Sequence, residues 1–299
     1  MALKKTTIKY FFPLFLVMVL EQLFKPDWIE KKPRHAFLLG FIYSIVGVIS
    51  AKLVFGANPG LMAVAFTSIL LLPSLNTLLA IEENQARVRD KYWILKQLWK
   101  DHNDIIEVYF YMFLGIFFTF AVIAFTFPEQ AIVRFFEPMF QVIGLSGEAT
   151  TLLGWTTEVA GPTIMSIFIN NFIVTIVCLL LSLIYGAGAI VFITWNATVW
   201  GVVIGFYAKQ ALLSTAEVNP FTIFFATVLP FFPHMIMEAL PYFTAAIVGG
   251  IVSKAALREE LFSSKFNEIV KDAIVVMGIS LVILFAAAVI EIKVYPILA

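Results

Sequence analysis

Seven apolar segments, each close to the length of a membrane span, most constrain the fold of this chain. They are Ala36–Phe55, Leu61–Leu79, Ile106–Phe127, Ile164–Tyr185, Ala187–Ala208, Pro233–Val252 and Ala273–Ile292. A transmembrane helix needs about 20 predominantly apolar residues. Because lipid offers no water to unpaired backbone groups, each segment must be helical. The sequence therefore predicts an all-α fold, a polytopic transmembrane helical bundle of about seven spans with additional interfacial amphipathic helices.

The composition excludes an ordinary soluble domain. Of the 299 residues, 61% are hydrophobic and 13% are charged, and the mean hydropathy is +0.94. Soluble domains carry about 25% charged residues, so a water-soluble chain of this composition could not cover its surface. We therefore expect the lipid bilayer as the partner. Because the formal net charge is zero, we expect no nucleic acid as a partner.

The basic residues predict how the spans are oriented. Seven precede the first span, five lie between the second and third, and four lie between the sixth and seventh, so that 16 of the 20 fall on one face. Cytoplasmic loops carry the excess of lysine and arginine. This bias predicts a multi-pass protein of the cell membrane with its N-terminus in the cytoplasm and its C-terminus outside.

We divide the chain into three regions. Residues 1–35 hold a basic linker and an apolar stretch, Lys4–Leu20, that we interpret as an interfacial helix, an eighth span being the alternative. Residues 36–163 form a three-span region with amphipathic connectors at 80–104 and Ala131–Ile143. The first of these connectors we expect to be a helix on the cytoplasmic surface. Residues 164–299 form a four-span core.

Polar side chains that fall at span depth are the candidate functional residues. They are Asn170, Asn171, Asn196, His234 and Glu238. His234 and Glu238 are four residues apart, so they share one face of a helix. An ionisable group at this depth costs at least about 2.5–3.5 kcal/mol, which by default indicates a function.

Two prolines next to this cluster predict a broken helix. Pro230 and Pro233 precede His234 directly, and proline disrupts the helix before it but suits a helix start. We therefore expect a span that begins at Pro233. Asn219–Leu229 would then be a separate interfacial or re-entrant helix.

The cluster admits two functions. In the first, it binds a small cation or relays protons in a transporter or channel-like protein, since histidine titrates near neutral pH and carboxylate is its natural partner. In the second, the protein is a membrane scaffold that organises membrane or envelope partners, and the polar groups hold the helices together. We expect no enzyme, because no nucleophile–base pair is evident. A homodimer is expected on general grounds.

Two pairs of small residues predict where the helices pack most closely. Gly201 with Gly205, and Ala245 with Gly249, form small-residue faces that predict close helix packing.

We expect no metal and no cofactor, because Cys178 is the only cysteine and no HExxH motif occurs.

The C-terminal core resembles the stage II sporulation protein M family of membrane proteins over roughly residues 164–254. The resemblance rests on an ordered set of features: Asn170-Asn171, the turn Gly186-Ala187-Gly188, Asn196 with Gly201 and Gly205, Pro233-His234 followed by Glu238, and Gly249-Gly250. Met235 and Ala239 depart from the usual pattern, which has Gly and Leu there. The resemblance implies a shared membrane core. The family's work with peptidoglycan-degrading partners is not carried over, because no outer soluble domain is evident.

Overall fold

The computed structural model describes residues 32–56, 59–88, 95–142, 163–215 and 218–298, and all of its regular elements are helices. These are α1 His35–Val54, α2 Pro59–Val88, α3 Leu95–Thr126, α4 Glu129–Phe135, α5 Glu137–Val142, α6 Ile164–Tyr185, α7 Ile190–Ser214, α8 Pro220–Arg258 and α9 Ser264–Leu298. Seven of them, α1–α3 and α6–α9, are long and apolar enough to cross a membrane. The predicted polytopic helical bundle is therefore confirmed.

Helix α8 lies at the centre of the bundle. It packs against α9 and α6 most extensively, and also against α7, α2 and α3, while α3 packs against α1 and α7. We define the upper face as the end of the bundle where α3 ends and α8 begins. There the rings of Phe125 and Phe224 lie 5.3 Å apart, and the Lys209 ammonium at the end of α7 donates to the Phe127 carbonyl. Helix α6 also begins at this face, and α9 ends there.

Glycines allow the closest helix crossings. A Cβ added to Gly201 of α7 would lie 2.6 Å from the Phe117 carbonyl oxygen of α3, and one added to Gly249 of α8 would lie 2.7 Å from the Leu179 carbonyl oxygen of α6. Gly205 meets α3 one turn beyond Gly201, and Ala245 is fully buried. Backbones this close leave no room for a side chain, which is how membrane helices gain contact area.

A polar side chain stabilises the turn between α6 and α7. Gly186 has a φ of +67°, a conformation that glycine adopts without steric cost. The Asn76 Oδ1 atom, on α2, accepts a hydrogen bond of 3.2 Å from the Ala187 amide in this turn. Asn76 thereby ties the turn to a helix that is far away in the sequence.

The predicted break at Pro230 and Pro233 is wrong. Asn219–Leu229 is not separate, because α8 runs without interruption for 39 residues, or about 58 Å. Its start is well defined, since the Asn219 side chain accepts a hydrogen bond of 2.9 Å from the Phe221 amide and Pro220 occupies the first turn. Each internal proline removes one backbone donor.

Packing before, between and after the two prolines explains why the helix continues, since the His234 ring just after them lies 5.2 Å from the Trp200 ring of α7. Phe224 stacks edge-on against α3 before them, and Phe232, between them, lies 6.2 Å from Phe117 and 6.4 Å from Phe118 of the same helix. Neighbouring helices commonly allow proline inside membrane helices in this way.

Two other connector predictions have different outcomes. The helix predicted over 80–104 is not a separate element, because residues 80–88 continue α2 and residues 95–104 belong to α3. The amphipathic stretch predicted over Ala131–Ile143 overlaps two short helices, α4, which already begins at Glu129, and α5. The predicted interfacial helix at Lys4–Leu20 lies outside the described residues.

Candidate functional site

Three polar side chains form a stripe along one face of α8. His234, Glu238 and Tyr242 follow one another at intervals of four residues, so that they lie one above the other. They are 6%, 7% and 2% exposed, respectively. The stripe is therefore buried inside the bundle and does not face lipid.

Helix α6 places two asparagines next to this stripe. Its first turn is fixed by a capping box in which the Thr163 side chain accepts from the Ser166 amide and Ser166 bonds back to Thr163. Asn170 and Asn171 follow within two turns. Asn171 is 5% exposed, whereas Asn170 is exposed at the edge of the bundle.

Hydrogen bonds join α6 and α8 at Asn171. The Tyr242 hydroxyl oxygen lies 2.8 Å from Asn171 Oδ1 and 3.1 Å from Glu238 Oε1. The Asn170 Nδ2 group donates to Asn171 Oδ1 over 3.3 Å. Tyr242, and not His234, is thus the hydrogen-bond partner of Glu238.

Two buried atoms of the stripe have no hydrogen-bond partner among the described residues. They are His234 Nδ1 and Glu238 Oε2. The imidazole ring is held between aromatic rings, with centroids 5.2 Å from Trp200 of α7 and 6.0 Å from Phe231 of α8. A buried polar atom without a partner costs about 1–3 kcal/mol, so these two atoms are the energetically expensive feature of the site.

Asn196 does not join this hydrogen-bond network. Its Nδ2 group donates over 2.8 Å to the Phe192 carbonyl oxygen of its own helix, and the residue is half-buried. It lies one turn before Trp200 on α7. Its amide is engaged with the backbone of α7.

Three residues of this region were not predicted from the sequence as part of it. Tyr242 and Trp200 are aromatic residues in apolar segments, where they look like ordinary packing residues. Glu291 of α9 lies near the end of the last predicted span, a position typical of an interfacial carboxylate. The four-residue spacing from Glu238 to Tyr242 was a signal that could have found the tyrosine.

Among the described residues, the charged group that acts on Glu238 is a second acid, Glu291. The groups that act on Glu238 by charge or hydrogen bonding are Glu291, Tyr242 and Asn171. In the described part of the chain, no three His, Cys, Asp or Glu residues are grouped so that they could hold a metal ion. The site thus combines carboxyl, imidazole, phenol and amide groups in an apolar environment.

Comparison with known proteins gives one match. The family model described as Stage II sporulation protein M matches residues 108–294. This range is wider than the resemblance in the sequence, because it includes α3 from residue 108 onward and most of α9, and it confirms that resemblance. No curated protein and no solved structure matches the chain.

Proposed function

This chain belongs to the stage II sporulation protein M family of multi-pass membrane proteins, and on that premise we propose that it transports a proton or a small cation. In this proposal Glu238 and His234 bind the transported ion, and Tyr242 and Asn171 hold Glu238 in position. The long apolar helices surround these groups and separate them from lipid.

The observation that supports this proposal is the pair of unpartnered atoms, Glu238 Oε2 and His234 Nδ1, one turn apart on a buried face. If the polar residues served only to pack helices, a set that satisfies all of its atoms would be more stable. An ionised carboxylate buried without a cation costs several kcal/mol. A proton or a cation taken up at this site offsets that cost.

A flux assay tests the proposal. The purified protein is reconstituted into liposomes that contain a pH-sensitive dye, and flux is followed after a proton, Na⁺ or K⁺ gradient is imposed. We expect flux with the wild-type chain and none with Glu238→Gln or His234→Ala. Glu260→Gln is the matched control, because Glu260 is exposed between α8 and α9, and its flux should equal that of the wild type.

Folding must be checked in the same samples. The melting temperature and the elution volume of each variant separate loss of the site from loss of the bundle. If folded Glu238→Gln protein conducts as fast as the wild type, or if the wild type moves none of the three ions, the transport proposal is wrong.

A scaffold is the second candidate, and the bond between Tyr242 and Asn171 favours it, because it joins α6 to α8 at the buried centre. Interhelical hydrogen bonds and small-residue crossings are the usual means of fixing a membrane bundle. In this case the same variants lower the melting temperature or abolish capture of membrane or envelope partners, and no ion moves.

We also propose how the chain is oriented in the membrane and how many copies assemble. The basic residues support an N-terminus in the cytoplasm and a C-terminus outside, so that the upper face would lie outside. We propose a homodimer on general grounds. Labelling of cysteines introduced at Lys32 and Arg134 tests the orientation. Mass measurement in detergent tests the homodimer.

A further inference from the structure

Glu291 lies on the buried side of α9, close to the site. The residues one and two turns before it on the same face, Leu284, Ala287 and Ala288, are all at most 3% exposed. Helix α9 packs against α8 and α6, and the contact between Phe168 and Phe285 fixes its upper half against the start of α6. Glu291 is therefore directed toward the helices that carry Glu238 and Asn171, and it acts on Glu238 electrostatically.

The two carboxyl groups differ in their distance from the membrane surface. Glu238 lies 18 residues after the start of α8. Glu291 lies near the end of α9, two positions before the exposed Lys293. Glu291 is half-buried, and Glu238 is buried. Glu291 thus stands between Glu238 and the upper face.

With the Asn171 amide oriented so that Oδ1 faces Tyr242, the two contacts of the Tyr242 hydroxyl need one more hydrogen than it supplies. A phenol has a single hydrogen, but its oxygen lies within bonding distance of both Asn171 Oδ1 and Glu238 Oε1. If the hydrogen pointed to Glu238, two oxygens would face each other at 2.8 Å with no hydrogen between them. With Tyr242 donating to Asn171, the contact with Glu238 becomes a hydrogen bond when Glu238 carries a proton.

The same atoms do not suit a metal cation. Hard cations take about six or more oxygen ligands. Around Glu238, Asn171 Oδ1 already accepts from both Tyr242 and Asn170, which uses its two lone pairs. Among the described side chains that act on Glu238, a carboxyl and a phenol remain, which is enough to take up a proton and fewer than the roughly six oxygens that a hard cation takes.

We propose that the ion bound at Glu238 is a proton and that it arrives from the upper face through Glu291. This inference rests on the proposed function and specifies its ion and route. The Glu291 carboxylic acid gives its proton to the Glu238 carboxylate and becomes a carboxylate. It is then protonated again from the water at the upper face. The pair carries one negative charge until this second step, after which both carboxyl groups are neutral.

Infrared spectroscopy of the full-length protein in lipid nanodiscs tests this route. A protonated Glu238 gives a carboxylic acid C=O band that Glu238→Gln removes. After transfer to D₂O, the rate at which this band shifts measures how fast the Glu238 proton reaches water. We expect Glu291→Gln to keep the band but slow its exchange by about 100-fold, since a positioned acid contributes a factor of this order to proton transfer.

Two further variants make the result specific. Glu291→Asp keeps a carboxyl group and should restore most of the exchange rate. Glu268→Gln is the matched control on the same helix, because Glu268 is exposed at the opposite end of α9; it should exchange at the wild-type rate. Wild-type exchange in folded Glu291→Gln overturns the route, and so does a wild-type spectrum without a Glu238 band. Neither result bears on whether Glu238→Gln abolishes flux, so failure of this route and failure of the proposed function can be told apart.

Discussion

Removing the hydroxyl group of Tyr242 should destabilise the bundle measurably. The variant Tyr242→Phe loses the 2.8 Å contact with Asn171 and the 3.1 Å contact with Glu238 while it keeps the ring in place. Interhelical hydrogen bonds in membranes contribute about 0.6–1.7 kcal/mol. Leaving Glu238 Oε1 buried without a partner costs about 1–3 kcal/mol more. The expected total loss in the free energy of unfolding is therefore about 2–5 kcal/mol.

Unfolding in mixed micelles titrated with SDS measures this loss. Tyr185→Phe is the matched control, because Tyr185 is 68% exposed at the end of α6, and it should change the free energy by less than about 0.5 kcal/mol. A double-mutant cycle with Asn171→Ala should give a coupling energy of about 1 kcal/mol. If Tyr242→Phe is as stable as Tyr185→Phe, or if the coupling energy is zero, the hydrogen bonds described here do not stabilise the bundle.

Three further substitutions test the packing and capping of the helices by the same unfolding measurement. Gly201→Ala places a Cβ 2.6 Å from the Phe117 carbonyl oxygen and should cost about 1–3 kcal/mol, whereas Gly278→Ala, with no atom within 4 Å of the added Cβ, should gain up to about 1 kcal/mol; equal effects would contradict the close crossing. Asn76→Ala removes the bond to the Ala187 amide and should cost about 0.5–1.5 kcal/mol, so wild-type stability would argue against this link. Asn219→Ala removes the cap of α8 and should cost about 1 kcal/mol, and an unchanged value would indicate that packing alone starts the helix.

The number and approximate position of the spans could be predicted from the sequence because lipid imposes both length and helical structure. The segments Ile164–Tyr185 and Ala273–Ile292, for example, lie in α6 and α9. The break at Pro233 could not be judged correctly, since proline's effect depends on whether neighbouring helices hold the chain on both sides. Phe224 and Phe232 of α8 pack against α3 before Pro233, His234 packs against Trp200 of α7 after it, and no local pattern reveals these contacts.

The candidate site could be predicted only in part, for a related reason. His234 and Glu238 are conspicuous because ionisable residues are expensive in lipid, and Asn171 is conspicuous as an amide in an apolar segment. Tyr242 is not, because a tyrosine within a span is usually a packing residue. Glu291 joins the site through the packing of α9 against α8, a relation between segments about 50 residues apart that span-length patterns do not specify.

The most direct test is a structure in lipid nanodiscs at a resolution that resolves water. We expect water or an ion within about 3.2 Å of both His234 Nδ1 and Glu238 Oε2, since a group that takes up protons must meet a donor or an acceptor there. The contradicting result is a dry site in which both atoms bond directly to protein groups. In that case the polar stripe of α8 holds the helices together and binds nothing.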